Sequence, residues 1–181
     1  MTGEGPVADL TIRPETPDDL DAVRLVNEAA FGQPAEADLV DALRRSSRPF
    51  LSMVAERSGT VVGHVAFSPV TINGPHPSDA TPPILLGLAP VAVRPGEQGR
   101  GVGSALIRSG LEACRAIGAG AIVVLGHPTY YPRFGFEVAA RLGLRCEYDV
   151  PEDAFLVVEL IPGALDGRSG TVRYHEAFSA V

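Results

Sequence analysis

The chain has 181 residues, the size of one ordinary domain and enough to bury a core without disulfide or metal staples. Hydrophobic residues make up 45% and charged residues 20%, with a net charge of −7; the first two values exclude wholesale disorder, and the third opposes binding to nucleic acid or anionic lipid, both of which need a positive field. All fifteen basic residues are arginine, which excludes a Walker A nucleotide loop and a pyridoxal Schiff base, since each needs a lysine.

Met1 to Leu10 has neither a basic start nor an apolar run, and no window holds the ~18 uninterrupted apolar residues of a membrane span, so a cytoplasmic protein is expected. Leu10 to Arg13 alternates as a first strand does, and Thr16-Pro17-Asp18 opens a helix whose apolar positions run from Leu20 to Phe31 before Gly32 and Pro34 stop it. A second helix is expected over Ala35 to Ser46, with Leu39, Val40 and Leu43 on its apolar face. Phe50 to Glu56 and Thr60 to Ile72 read as a hairpin around Ser58-Gly59. Asn73 to Pro83 holds four prolines and reads as an exposed, flexible loop.

A strand over Ile84 to Val93, a helix within Gln98 to Ile117 and a strand over Ala121 to Leu125 form a strand-helix-strand unit. Aromatic residues crowd Tyr130 to Phe136, and strands are expected near Leu144 to Tyr148 and Phe155 to Leu160. Residues 1–181 are read as a single domain with its core at about 10–160. Residues 162–181 would be a C-terminal extension in which Thr171 to Phe178 adds an edge strand. Cys114 and Cys146 lie far apart with no second Cys or His at ligand spacing, so buried thiols are expected rather than a metal site or a disulfide.

The most informative stretch is Val91-Ala92-Val93-Arg94-Pro95-Gly96-Glu97-Gln98-Gly99-Arg100-Gly101-Val102-Gly103-Ser104. A buried strand ends, the chain turns through glycines and a helix begins. Glycines let backbone N–H groups converge on one point, and a helix N-terminus adds partial positive charge, so the turn either binds a pyrophosphate or is simply tight. A dinucleotide fingerprint fails in both registers, because Leu106 or Ser104 stands where its last small residue belongs.

Gln98-Gly99-Arg100-Gly101-Val102-Gly103, after Val91-Ala92-Val93, resembles the Q/R-x-x-G-x-G/A acetyl-CoA signature of the GCN5-related N-acetyltransferase (GNAT) superfamily. The order of elements from Leu10 to Leu160 agrees with that superfamily's, in which a strand, two helices, a hairpin, the signature strand and helix, another strand, a helix and a closing hairpin follow one another. Tyr131-Pro132-Arg133-Phe134-Gly135-Phe136, preceded by Leu125-Gly126-His127-Pro128, is similar to that superfamily's Tyr-x-x-x-Gly-Phe segment, and Val124 to Phe136 resembles its YhbS-like bacterial branch. The resemblance implies an α/β (α+β) fold, a central mixed, mostly antiparallel sheet flanked by helices, with acetyl-CoA as co-substrate at the signature strand-helix turn and no metal.

It also implies roles. Val91, Ala92 and Val93 would hold the pantetheine arm, the Ala92 and Val93 amides pairing with it as an added strand does. An N–H near Val93 would stabilise the thioester oxyanion, and Gln98, Gly99, Arg100, Gly101, Val102, Gly103 and Ser104 would hold the pyrophosphate. Tyr131 takes the part of general acid to the departing thiolate, with Tyr130 packing beside it. The signature strand reads Gly87-Leu88-Ala89-Pro90 where many relatives carry a Glu, so His127 is the best remaining candidate base. His64 is expected to be structural, and Glu97 to face solvent away from the phosphates. The implied activity is direct acetyl transfer to a primary amine of a small molecule or peptide by a monomer or homodimer. The alternative is an inactive acyl-CoA-binding or sensing module.

Overall fold

The computed structural model describes residues 9–78 and 81–181; readings made for residues 1–8 and for Asp79 and Ala80 of the proline-rich loop lie outside the described residues. The chain runs β1 (Leu10–Pro14), α1 (Leu20–Phe31), α2 (Ala35–Ser46), β2 (Leu51–Arg57), β3 (Thr60–Pro69), β4 (Thr71–Asn73), β5 (Ile84–Val93), α3 (Val102–Ala116), β6 (Ala119–Leu125), β7 (Glu137–Val138), β8 (Leu144–Cys146), β9 (Phe155–Glu159) and β10 (Gly170–Arg173). A seven-stranded sheet in the order β1-β2-β3-β5-β6-β9-β7 carries the helices, and β4-β10-β8 form a second, small sheet. In the large sheet only β5 and β6 pair in parallel, as a helical crossover demands.

Local chemistry explains most boundaries. Ser58 and Gly59 both take left-handed backbone, φ 50° and 77°, the geometry of a two-residue hairpin turn between β2 and β3. Before α1, the Asp19 carboxylate accepts from the Thr16 N–H at 2.8 Å and the Thr16 hydroxyl at 2.9 Å. Arg13 clamps the same carboxylate at 2.6 and 2.8 Å and holds it well below the usual carboxylate range. α1 ends at Gly32, φ 72°, whose N–H bonds the Glu28 carbonyl.

The two faces of the large sheet differ. On one, α3 buries Leu106 and Ile107 completely, each contributing roughly 1.5–3 kcal/mol. Helix and sheet approach so closely at Gly110 that an added Cβ would come within 2.6 Å of two ring carbons of Phe67. On the other face, α1 and α2 cover Val54, Val61 and Ala92 with Val23, Val26 and Val40.

Under α1 and α2 a polar network replaces apolar packing. The Asn27 amide nitrogen donates to the Val23 carbonyl at 2.9 Å and to His64 Nδ1 at 3.1 Å, which makes Nδ1 the acceptor and Nε2 the donor to Ser52 Oγ at 2.9 Å. Ser52 in turn donates to Glu15, which pairs with Arg44 of α2 at 2.7 Å. Burial, with Arg44 nearby, pushes the His64 imidazole down to about 3, so it is neutral and structural, as its mid-strand position implied.

The fold class agrees with the sequence reading, and several details differ from it. The strand expected over Thr60 to Ile72 breaks at Val70 into β3 and β4 of different sheets, and that expected over Thr171 to Phe178 ends at Arg173 before a 3₁₀ turn over Glu176–Ala180. The segment after β6 is a 3₁₀ turn, Tyr131–Phe134, rather than a helix, because Pro132 and the left-handed Gly135 (φ 92°) leave room for one turn only. Within Gln98 to Ile117 the helix occupies Val102–Ala116 as expected, and Gln98 to Gly101 form the turn. Asn73 belongs to β4 rather than to the loop, paired with Thr171. β10 is the central strand of the small sheet, antiparallel to β4 and parallel to β8, not an added edge.

Candidate active site

β5 and β6 pair only over Ile84–Gly87 and Ala119–Val123. Beyond that point β6 stays with β9, whereas Leu88–Val93 continue on β3 alone, so the sheet splits into a wedge with one open strand edge. The cis peptide Ala89–Pro90 and a register shift opposite Val65–Phe67 lie in this stretch. The Arg94 N–H bonds the Val62 carbonyl at 2.9 Å. Alternation along the strand therefore commits the Ala92 backbone to β3, opposite His64, and turns the backbone groups of Val91 and Val93 to the wedge. The pair assigned from sequence was Ala92 and Val93. In the register it is Val91 and Val93 whose backbone faces the open edge, and the Ala92 side chain is fully buried under α1.

The wedge opens into a cleft of about 1370 Å³ running from the glycine turn to the ends of α1 and α2. Gly99 and Gly101 sit at φ 72° and 80°, conformations only glycine adopts without strain. Gly103 needs another explanation. It is neither left-handed nor crowded, the nearest atoms to a Cβ there being the Tyr130 hydroxyl at 3.5 Å and Val93 Cγ2 at 3.7 Å. A glycine inside a helix costs about 1 kcal/mol relative to alanine, and here it leaves the first-turn amides of α3 open to the cleft.

Side chains finish this end. Gln98 Nε2 donates to the Val93 carbonyl at 3.0 Å, tying the turn to the open strand edge. Ser104 Oγ and the Tyr130 hydroxyl hydrogen-bond at 3.2 Å, so Tyr130 does more than pack. Arg57, Arg100 and Arg133 line the cleft, and Glu97 is held by Arg57 at 3.2 Å and Arg100 at 3.8 Å. Glu97 is thus half-buried and neutralised rather than turned to solvent. Arg133 lies over the Tyr130 ring, 4.5 Å from its centroid.

Tyr131 lines the cleft with 9% of its surface exposed. Its ring meets Tyr130 and Phe136 edge-on and lies against Gly126, where a Cβ would come 2.1 Å from ring carbon Cε2. Burial pushes the phenol up to about 12, so it is a protonated hydroxyl at every physiological pH. His127, beside it, is exposed and lines the cleft with no hydrogen bond to a described side chain.

The resemblance implied that the first two helices help shape the acceptor site, but no residue of the far end of the cleft was singled out from sequence. Phe31 of α1, Glu36 and Leu39 of α2, and Phe178 and Val181 of the C-terminal segment meet there. No spacing in the sequence links the α1–α2 junction to the C-terminal segment, nor Arg57 to Glu97; Arg133, by contrast, stood inside the aromatic motif. Among the described residues no group of His, Cys, Asp or Glu is arranged to hold a metal ion, and no helix is long and apolar enough to cross a membrane.

Comparison with known proteins agrees with this geometry. Residues 11–139 match the family described as acetyltransferase (GNAT) domain. The chain is 40% identical to the N-acetyltransferase YhbS of Escherichia coli over 171 residues, 94% of this chain and 99% of that one. It is 45% identical to the N-acetyltransferase YjhQ of the same organism over 138 residues, 75% and 74% of the two chains. The crystal structure of Escherichia coli YhbS in complex with CoA superposes with a TM-score of 0.84 at 38% identity, covering 97% of this chain and 94% of that one. A Brucella melitensis GNAT acetyltransferase in complex with acetyl-CoA gives a TM-score of 0.74 at 39% identity, covering 93% and 97%. A split sheet, a glycine turn opening a helix and a buried tyrosine at the cleft wall therefore coincide with the sequence match, and the chain belongs to the GNAT acetyltransferase family.

Proposed function

We propose that the protein transfers an acetyl group from acetyl-CoA to the nitrogen of an amine within this single cleft, with no covalent enzyme intermediate. The observation that carries the reading is Gly103: a helical glycine without a backbone or packing reason, beside free amides and three arginines. That cradle suits a pyrophosphate. The open backbone groups of Val91 suit a pantetheine arm added as an extra strand, and the N–H of Val93, whose carbonyl Gln98 already holds, suits the thioester oxygen as it gains negative charge. Acetyl-CoA supplies the activated acetyl group.

Each remaining step has a group. The attacking nitrogen must be neutral, because an ammonium has no lone pair, and His127 is the exposed base on the wall to which its proton passes. As the new C–N bond forms and the C–S bond breaks, the Tyr131 hydroxyl gives a proton to the sulfur and recovers one from solvent. A phenol raised to about 12 remains a donor throughout the working range, so no alkaline fall in rate from this group is expected below about pH 11. Gly126 and Phe136 hold the ring in position.

Isothermal titration with acetyl-CoA, followed by thiol release across an amine and peptide library, tests the proposal. Saturable binding at one site with amine-dependent thiol release is expected. Binding without release by any amine leaves only the sensing module.

A further inference from the structure

The two ends of the cleft carry opposite charge. The glycine-turn end has Arg57, Arg100 and Arg133 against one carboxylate, Glu97, which two of those arginines already hold. Among the described residues the far end has no side-chain cation and a single side-chain carboxylate, Glu36. Its oxygens accept only from the Gln33 amide, at 3.2 and 3.3 Å, and it makes no ion pair with a described residue. The first turn of α2 accommodates an acidic residue through the helix dipole, but the dipole does not account for a carboxylate on the cleft wall itself. Around it the wall is apolar: Phe31 is 41% exposed and Val181 54%, with Leu39 and Phe178 buried beneath.

We infer that the acceptor is a cationic amine bearing an apolar ring or chain and no carboxylate, drawn in by Glu36 and seated on Phe31, Leu39, Phe178 and Val181; this rests on the acetyl transfer proposed above. At neutral pH such an amine arrives as an ammonium ion, and an unpaired carboxylate at the mouth raises its local concentration. A carboxylate on the acceptor would meet Glu36 with no cation at that end to answer it, and would be desolvated against apolar side chains. A polyamine would satisfy Glu36 but leave the apolar wall uncovered.

The test uses three acceptors with the full chain and acetyl-CoA. These are 2-phenylethylamine, phenylalanine, which adds a carboxylate to the same skeleton, and putrescine, which has charge without a ring. kcat/KM for 2-phenylethylamine should exceed the other two by at least about tenfold, as expected where charge match and apolar burial each contribute. Glu36→Gln should raise the KM for 2-phenylethylamine about fivefold with kcat within about twofold, the size of a partly solvated charge contact. Glu36→Arg should narrow or reverse the gap to phenylalanine, which a merely structural Glu36 would not do. Comparable kcat/KM for phenylalanine, or a KM indifferent to Glu36→Gln, overturns the inference while leaving acetyl transfer standing. Calorimetric titration of 2-phenylethylamine into the CoA-saturated protein separates the opposite case. Binding weakened by Glu36→Gln without thiol release from any amine supports the cation subsite and removes acetyl transfer, whereas no binding at all overturns the subsite.

Discussion

The end of the cleft at α3 is built from one continuous run, Leu88 to Ser104, and works mainly through backbone: open strand amides, left-handed glycines and a helix N-terminus. The far end gathers Phe31, Glu36, Leu39, Phe178 and Val181 from two distant segments, the α1–α2 junction and the C-terminal segment, and presents side chains. In the proposed reaction the first end would accept any acyl-CoA, since its backbone amides would meet the phosphates and the arm, which all such thioesters share. In the same proposal the second distinguishes acceptors, and substitutions there are expected to change selectivity without altering the fold. Behind it stands the buried Asn27–His64–Ser52–Glu15–Arg44 network, which fastens α1 and α2 to the sheet.

Placing a charge in the backbone-built end should have the largest effect. Gly103→Glu fills the cradle with a carboxylate, and acetyl-CoA affinity measured by calorimetry should fall at least about 100-fold as phosphate contacts are blocked and repelled. The fold should persist by circular dichroism, because a Cβ at 103 meets nothing closer than 3.5 Å. Unchanged affinity would remove the phosphates from this turn.

Acid should loosen the acceptor end. His64 titrates at about 3 in the folded chain and near 6.5 unfolded, so its folded value is depressed. The unfolded chain takes up the proton first, and stability present above pH 6.5 is lost as pH falls. Between pH 6 and 4.5 this one group removes about 2 kcal/mol. Urea unfolding at both pH values should show that loss in the wild type and a smaller one in His64→Gln. Equal losses would mean that the imidazole accepts a proton in the folded state.

Two substitutions near the tyrosines sharpen the contrast between position and chemistry. Gly126→Ala pushes a methyl group into the Tyr131 ring, and kcat should fall about tenfold with acetyl-CoA affinity retained, because only the placement of the hydroxyl changes. Tyr130→Phe removes the hydrogen bond to Ser104 at the first turn of α3. Acetyl-CoA affinity should weaken about threefold, in line with one neutral hydrogen bond, while kcat stays within about twofold.

Sequence reading recovered what is encoded locally. The hairpin turn at Ser58-Gly59, both early helices, the signature turn and the Tyr131 motif are each written in adjacent residues, and the family resemblance joined them into the right sheet. What escaped it is encoded by contact. The share of strand amides between β3 and the cleft depends on register, and a one-residue shift exchanged Ala92 for Val91. Thr171 to Phe178 had strand character, but its central seat between β4 and β8 is set by Val172, which buries itself in a core shared with Leu144 and Val157. Glu36 gave no signal, since a first-turn glutamate is common for the helix alone.

The central claim is that Tyr131 protonates the leaving thiolate in a cleft that transfers acetyl groups directly. Single-turnover rates with acetyl-CoA preloaded and an amine in excess, compared for wild type and Tyr131→Phe, test it without interference from product release. A rate at least about tenfold lower is expected for Tyr131→Phe with acetyl-CoA affinity nearly unchanged, the signature of a group acting only in the transition state. Equal single-turnover rates in two correctly folded proteins would contradict it and leave Tyr131 as a packing residue.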